Sequence, residues 1–302
     1  LIRPHHFHPN GATAVDNAFQ ALDASRSAAG IAAAARDEVT RAVEALEKAG
    51  VAVHLFEDAG RETPDSVFPN NWFSTHAGGH VALYPMFSPS RRKERRPDVI
   101  EMLKQRYRVQ DVIDYSGLEP DGVFLEGTGA MVLDHIERVA YAARSNRTNE
   151  VALERFCTHF NFEPVVFDAA DAQGRPIYHT NVLMCIGTDI ALIGLATVSE
   201  PPRRAEIAQR LAQTGRTVID LTHEQIADFA GNAIELDGKE GRVLALSSRA
   251  LRSLTAGQRE AIESYLRLLP LDVPMIELAG GSVRCMLAGI HLAPRPCIAA
   301  AG

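Results

Sequence analysis

The chain has 302 residues, 46% of them hydrophobic and 23% charged, enough to bury a full core in one large domain or two ordinary ones. The formal charge of -7 leaves one short basic run, Arg91-Arg92-Lys93 with Arg95-Arg96 between prolines; it reads as a solvated surface turn, and nucleic acid is not an expected partner. No apolar stretch is long enough to cross a bilayer, so no membrane partner is expected either.

The first ten residues hold no apolar signal core, and the missing initiator Met predicts a trimmed start. A helix over 32–48 ends at Gly50 and leads into a strand over 51–56. Then a unit begins that repeats. Strands 72–75 and 81–84 flank the turn Gly78-Gly79; a helix starts at Pro97, carries Ile100, Leu103 and Tyr107, and precedes a strand over 112–115. The second unit has a first strand through 123–126 and on to 133, a return strand over 138–143, a helix capped by Thr148, and a strand over 165–167. The third has strands 182–186 and 190–195, a helix from Pro201-Pro202, and a strand over 218–221. The fourth has strands 232–236 and 242–246, a helix capped by Thr255, and a strand over 274–278. A last hairpin over 282–292 has no helix after it, while the opening helix and strand have no hairpin before them. The two ends complete each other. The expected fold is α/β: a fivefold pseudo-symmetric ring of ββαβ units, closed by the N- and C-terminal pieces, in one domain spanning 1–302. Closure would protect the sheet edges.

In such a ring, equivalent positions converge on the axis. Asn71, Asn181 with His179, and Asn232 stand at strand entrances; Glu126 and Cys285 lie within first strands. Cys285 can serve as a nucleophile, His179 as acid and base near neutral pH, and Glu126 as an orienting carboxylate. Glu126 is the hardest to assign to packing, because a glutamate is almost never buried unpaired. Cys185 reads as structural, and Cys157 and Cys297 as bystanders. With no CxxC pair, the four cysteines point to thiols in a reducing cytoplasm. His5, His6 and His8 cluster, and His76 and His80 are four apart across a Gly-Gly turn; all read as surface loop histidines, so no metal is expected. Gly127-Thr128-Gly129 lacks the third glycine and following helix of a nucleotide loop.

These motifs resemble the penteins, or guanidino-group modifying enzymes. Phe124-Leu125-Glu126-Gly127-Thr128-Gly129 looks like their glutamate motif, Tyr178-His179-Thr180-Asn181 their histidine motif, and Gly281-Ser282-Val283-Arg284-Cys285-Met286 their terminal cysteine motif. Ser145-Asn146-Arg147-Thr148-Asn149 resembles the stretch whose arginine contacts a substrate carboxylate. Arg3-Pro4, Phe7, Asn10, Thr13, Asn17, Phe19-Gln20 and Val67-Phe68-Pro69-Asn70-Asn71-Trp72 are similar to the citrulline-utilisation hydrolase and amidinotransferase-like branch. The resemblance implies a fivefold propeller and a cofactor-free hydrolase acting through a covalent cysteine intermediate. It places Asn71, Asn181, Arg147, Arg144, Phe68, Asn10 and Asn17 around the substrate.

One departure bears on the substrate. Arginine deiminases place aspartates where this chain aligns Asn71 and Asn181. Aspartates bind a guanidinium by charge-assisted bonds; asparagine is neutral and offers both a donor and an acceptor, as a ureido group does. The expectation is therefore citrulline, giving ornithine, ammonia and carbon dioxide. The alternatives are an arginine deiminase or dihydrolase, a dimethylarginine hydrolase, an amidinotransferase, and a non-catalytic pentein that binds without turnover. The expected partner is a small ureido or guanidino amino acid, and any assembly is expected to be a homodimer.

Overall fold

The computed structural model describes residues 1–296; Cys297 lies outside the described residues. Four three-stranded sheets share one topology, an antiparallel hairpin whose second strand pairs in parallel with a third across a helix. The first sheet joins Phe73–His76, His80–Leu83 and Asp111–Asp114, and the second Met131–Asp134, Val139–Ala143 and Glu163–Phe167. The third joins Met184–Ile186, Ile190–Ile193 and Thr217–Asp220, and the fourth Ile234–Gly238, Gly241–Ser247 and Arg267–Leu271. The fifth sheet has only two strands, Ile2–Pro4 parallel to Phe56–Asp58.

The opening helix, Ala28–Lys48, starts at Ser27, whose Oγ accepts from the Gly30 N–H at 3.1 Å. It buries Ile31, Ala35, Val39, Val43 and Leu46 against a core shared with Val273, Ile276, Val283 and Met286. Burying each such branched side chain stabilises the fold by roughly 1.5–3 kcal/mol. The segment 273–286 is thereby held against the first helix.

Three expectations are corrected. The fourth unit closes on Arg267–Leu271, and 274–278 is not a strand. Pro274 instead opens a helical turn, whose Met275 and Ile276 N–H groups donate to the Glu38 carboxylate. The hairpin over 282–292 does not form: Val283–Met286 is a helical turn, and the β-bridge beyond it among the described residues joins Pro294 to Tyr107. The segment 123–126 is not a strand, because Glu126 caps the turn Gly127–Ala130. Among the described residues, no helix is long and apolar enough to cross a membrane.

The functional candidates therefore ride on short helical turns just before a sheet: Pro69–Asn71, Gly127–Ala130 and Thr180–Val182 precede the first three sheets. A turn ending near Asn232 precedes the fourth, and Cys285 sits on the last turn.

Candidate active site

Cys285 is 3% exposed, and its Sγ accepts from two side-chain amides, Asn181 Nδ2 at 3.3 Å and Asn232 Nδ2 at 3.2 Å. Asn232 also grips the turn: its Oδ1 accepts from the Ser282 N–H at 3.1 Å and its carbonyl from the Arg284 N–H at 3.3 Å. Gly281 permits a close approach, since a Cβ there would lie 2.9 Å from the Phe68 ring and 3.1 Å from the Cys285 Cβ.

Glu126 is fully buried. One oxygen accepts from the Phe87 N–H at 3.0 Å; the other meets His179 Nε2 at 2.9 Å and Arg147 Nη1 at 3.4 Å, with Arg91 Nη1 at 3.6 Å. Burial alone would raise this carboxyl, but Arg147, the His179 hydrogen bond and Arg91 overcome it and hold the group well below the usual range. Burial pulls His179 down to about 4, against the raising effect of Glu126. An ionised Glu126 can only accept, so His179 carries its proton on Nε2, and Nδ1 is left to accept from Asn71 Nδ2 at 3.4 Å. Gly129 makes room for this pair; a Cβ there would stand 2.8 Å from His179 Nδ1.

A small cavity of about 10 Å³ lies between these groups, lined by Cys285, His179, Asn71, Phe68, Asp65 and Asn17 among others. Arg91 and Arg147 reach its wall. Arg147 is almost fully buried, lies 4.8 Å over the Tyr178 ring, and is clamped by Asp16 through Nε at 2.9 Å and Nη2 at 2.6 Å. Asn10 reaches the cavity indirectly, donating to Asp65 at 2.8 Å, and Asn17 donates to the Ala279 carbonyl at 3.0 Å.

Three sequence expectations fail here. Arg144 stands apart from the cavity; it is exposed and paired with Glu150 at 2.7 Å and Asp168 at 3.2 Å. The basic run is not wholly a solvated turn. Arg91 is 3% exposed and joins Glu94 at 2.9 Å, Asp65 at 3.8 Å and Glu126. His76 is likewise no surface histidine: it is 1% exposed and packs against Phe160 at 4.3 Å between ring centroids. Sequence reasoning also passed over Asp16, which stands beside Asn17 and was hidden by it. Burial pushes the thiols of Cys157 and Cys185 up to about 12. Among the described residues, no cluster of three or more His, Cys, Asp or Glu groups is arranged to hold a metal ion.

Comparisons with known proteins agree with this architecture. The N-terminal domain of ArgZ, an arginine dihydrolase from the ornithine-ammonia cycle in cyanobacteria, superposes with a TM-score of 0.72 at 16% identity, over 95% of this chain and 95% of that one. AgrE in complex with L-arginine superposes at 0.73 with 16% identity; this chain is matched over 95% of its length and spans 39% of that longer chain. A dimethylarginine dimethylaminohydrolase superposes at 0.62 and 16% identity, over 94% of this chain and 96% of that one. No curated protein matches by sequence search. These structural likenesses bear on fold alone. The sequence profile of the eukaryotic N,N dimethylarginine dimethylhydrolases matches residues 3–292, nearly the whole chain. The chain belongs to that family of hydrolases, within the pentein superfamily.

Proposed function

We propose that the chain hydrolyses a C–N bond at the central carbon of a ureido or guanidino amino acid, with Cys285 as nucleophile, His179 as acid and base, and Glu126 orienting the imidazole. The observation that carries this reading is the pair of amide donors on the Cys285 sulfur, beside a cavity that His179 also lines. Both amides hold the sulfur in place beside the cavity. His179 is neutral at pH 7 and so accepts the thiol proton first. The sulfur then attacks the carbon, and the proton passes to the departing ammonia. A thiocarbamate to Cys285 remains. Water, deprotonated by His179, attacks the same carbon and the C–S bond breaks; with citrulline the released carbamate falls apart to ornithine and carbon dioxide.

The two asparagines favour a neutral ureido group. Asn181 Oδ1 is buried without a partner among the described residues, and a substrate N–H would satisfy it. Asn71 and Asn181 add no charge that a neutral substrate would leave unbalanced. A second reading is a guanidino substrate, arginine or dimethylarginine, favoured by Asp65 on the cavity wall and by the family match. Arginine would give citrulline and ammonia, or ornithine if both steps run. In either case the substrate carboxylate takes Arg147 in place of Asp16, so the N-terminal loop gates entry. We read residues 1–302 as one unit, its strand pairs and four sheets as five blades of a ring, working in the cytoplasm.

The test is a product assay on purified protein given citrulline, arginine and dimethylarginine separately, with Cys285→Ala as control. Ornithine from citrulline, lost in the variant, supports the full reading. Turnover of arginine or dimethylarginine alone keeps the chemistry and overturns the neutral-substrate argument. Activity that survives Cys285→Ala overturns the nucleophile.

A further inference from the structure

Adjacent residues open on different cavities: Cys285 lines the one described above, and Arg284 lines a second of about 110 Å³. We propose that this second cavity binds a phosphate group, held by Arg284, His135 and His291. The His135 and His291 rings stack at 4.0 Å between centroids, and both line the cavity with Arg284. Arg284 has no carboxylate within ion-pair distance among the described residues; its one hydrogen bond there runs from Nη1 to the Leu287 carbonyl at 2.9 Å. The imidazole nitrogens of His135 and His291 have no hydrogen-bond partner among the described residues either. Arg138, beside this group, donates to backbone carbonyls at Asn161 and Phe160 and lies 3.8 Å over the Phe162 ring; it too lacks a carboxylate.

The acids nearby are spoken for or exposed. Glu235 lines the cavity, but its carboxylate accepts from Thr188 at 2.6 and 3.0 Å and from Arg242 at 3.0 Å. Asp237 is exposed. The Arg284 guanidinium is only partly buried and the two imidazoles are exposed, so the group opens on solvent. No carboxylate reaches ion-pair distance of Arg284 among the described residues, although the exposed Asp237 stands near His291, and the three side chains line one cavity with room for a phosphate. A dianionic phosphate matches this donor set better than a single carboxylate, because the guanidinium fork engages two of its oxygens and the imidazoles the others.

The probe is inorganic phosphate, titrated into the full chain by calorimetry and by imidazole NMR, with glycerol phosphate and acetate as further arms. The expected result is one saturable site whose filling shifts the His135 and His291 resonances, with acetate weaker. Arg284→Gln should weaken binding about tenfold or more, the scale of one charge-assisted bond pair, while Arg147→Gln leaves it unchanged. His291→Gln gives the same test should Arg284→Gln fail to fold. Tighter binding of glycerol phosphate would assign the site to a phosphate ester, and equal binding to the free ion. Absence of saturable phosphate binding, or binding lost in Arg147→Gln and kept in Arg284→Gln, would overturn the proposal.

Discussion

The cavities beside Cys285 and Arg284 are one residue apart in sequence and opposite in charge balance. Around Cys285 every arginine has an acid: Arg147 has Asp16 and Glu126, and Arg91 has Glu94, Asp65 and Glu126. Around Arg284 no carboxylate reaches ion-pair distance of the guanidinium among the described residues, and the nearest free acid, Asp237, is exposed beside His291. The first cavity is preorganised, so a substrate must exchange places with bonds already made. The second carries uncompensated positive charge, so a ligand would supply a missing bond. One turn, Val283–Met286, serves both.

The paired network is broken most severely at its centre. Glu126→Gln replaces an acceptor-only carboxylate with an amide that can also donate, so the His179 tautomer is no longer fixed, and kcat should fall by roughly 10²–10⁴. It also leaves Arg147 and Arg91 short of charge, costing about 3–5 kcal/mol by urea unfolding. A variant with normal kcat would mean that Glu126 serves packing alone. Gly129→Ala leaves every charge in place but drives a methyl against Asn71 and His179. A displacement of that size should cost about 10²-fold in kcat with little change in KM; steady-state kinetics separates the two.

A smaller effect is expected at the mouth. Asp16→Asn weakens the clamp on Arg147, so KM should fall severalfold with kcat nearly unchanged. A raised KM would show that Asp16 holds the substrate rather than competing with it.

The smallest effect sharpens what the two regions share, neutral histidines, buried at His179 and exposed at His135 and His291. Burial lowers His179 to about 4 and His76 to about 2, and the exposed His135 and His291 are lowered too, with a smaller share in stability because solvent screens them. The unfolded chain binds these protons first, so stability present above about pH 6.5 is lost as pH falls towards 4. Burial raises Glu38 to about 7 and Glu94 to about 8, so these two lose stability as pH rises through those values. Urea midpoints measured from pH 4 to 9 should peak near 6.5; a monotonic rise with pH would contradict these assignments.

The repeated hairpin, helix and strand were legible because alternation and turn residues are local: the third unit reads 190–195 from sequence and folds as Ile190–Ile193. The closing strand of the fourth unit was not. Arg267–Leu271 contains Pro270, which argues against a strand, and the turn at Pro274 depends on Glu38, far away in sequence. At the site, Cys285, His179, Glu126, Asn71 and Asn181 were legible because each occupies a matching place in its unit. Arg91 was not, since nothing in a run of basic residues shows which one turns inward to meet Asp65 and Glu126. Asp16 belongs to a loop without regular structure, where no periodicity points to a partner 131 residues away.

The central claim is a covalent bond between Cys285 and the substrate's central carbon. Acid quenching during turnover of citrulline or arginine, followed by peptide mass spectrometry, tests it directly. The account predicts a substrate-derived adduct on the peptide carrying Cys285, absent in Cys285→Ala and not found on Cys157 or Cys185. Rapid turnover with no adduct at any quench time, or an adduct on another cysteine, would contradict it.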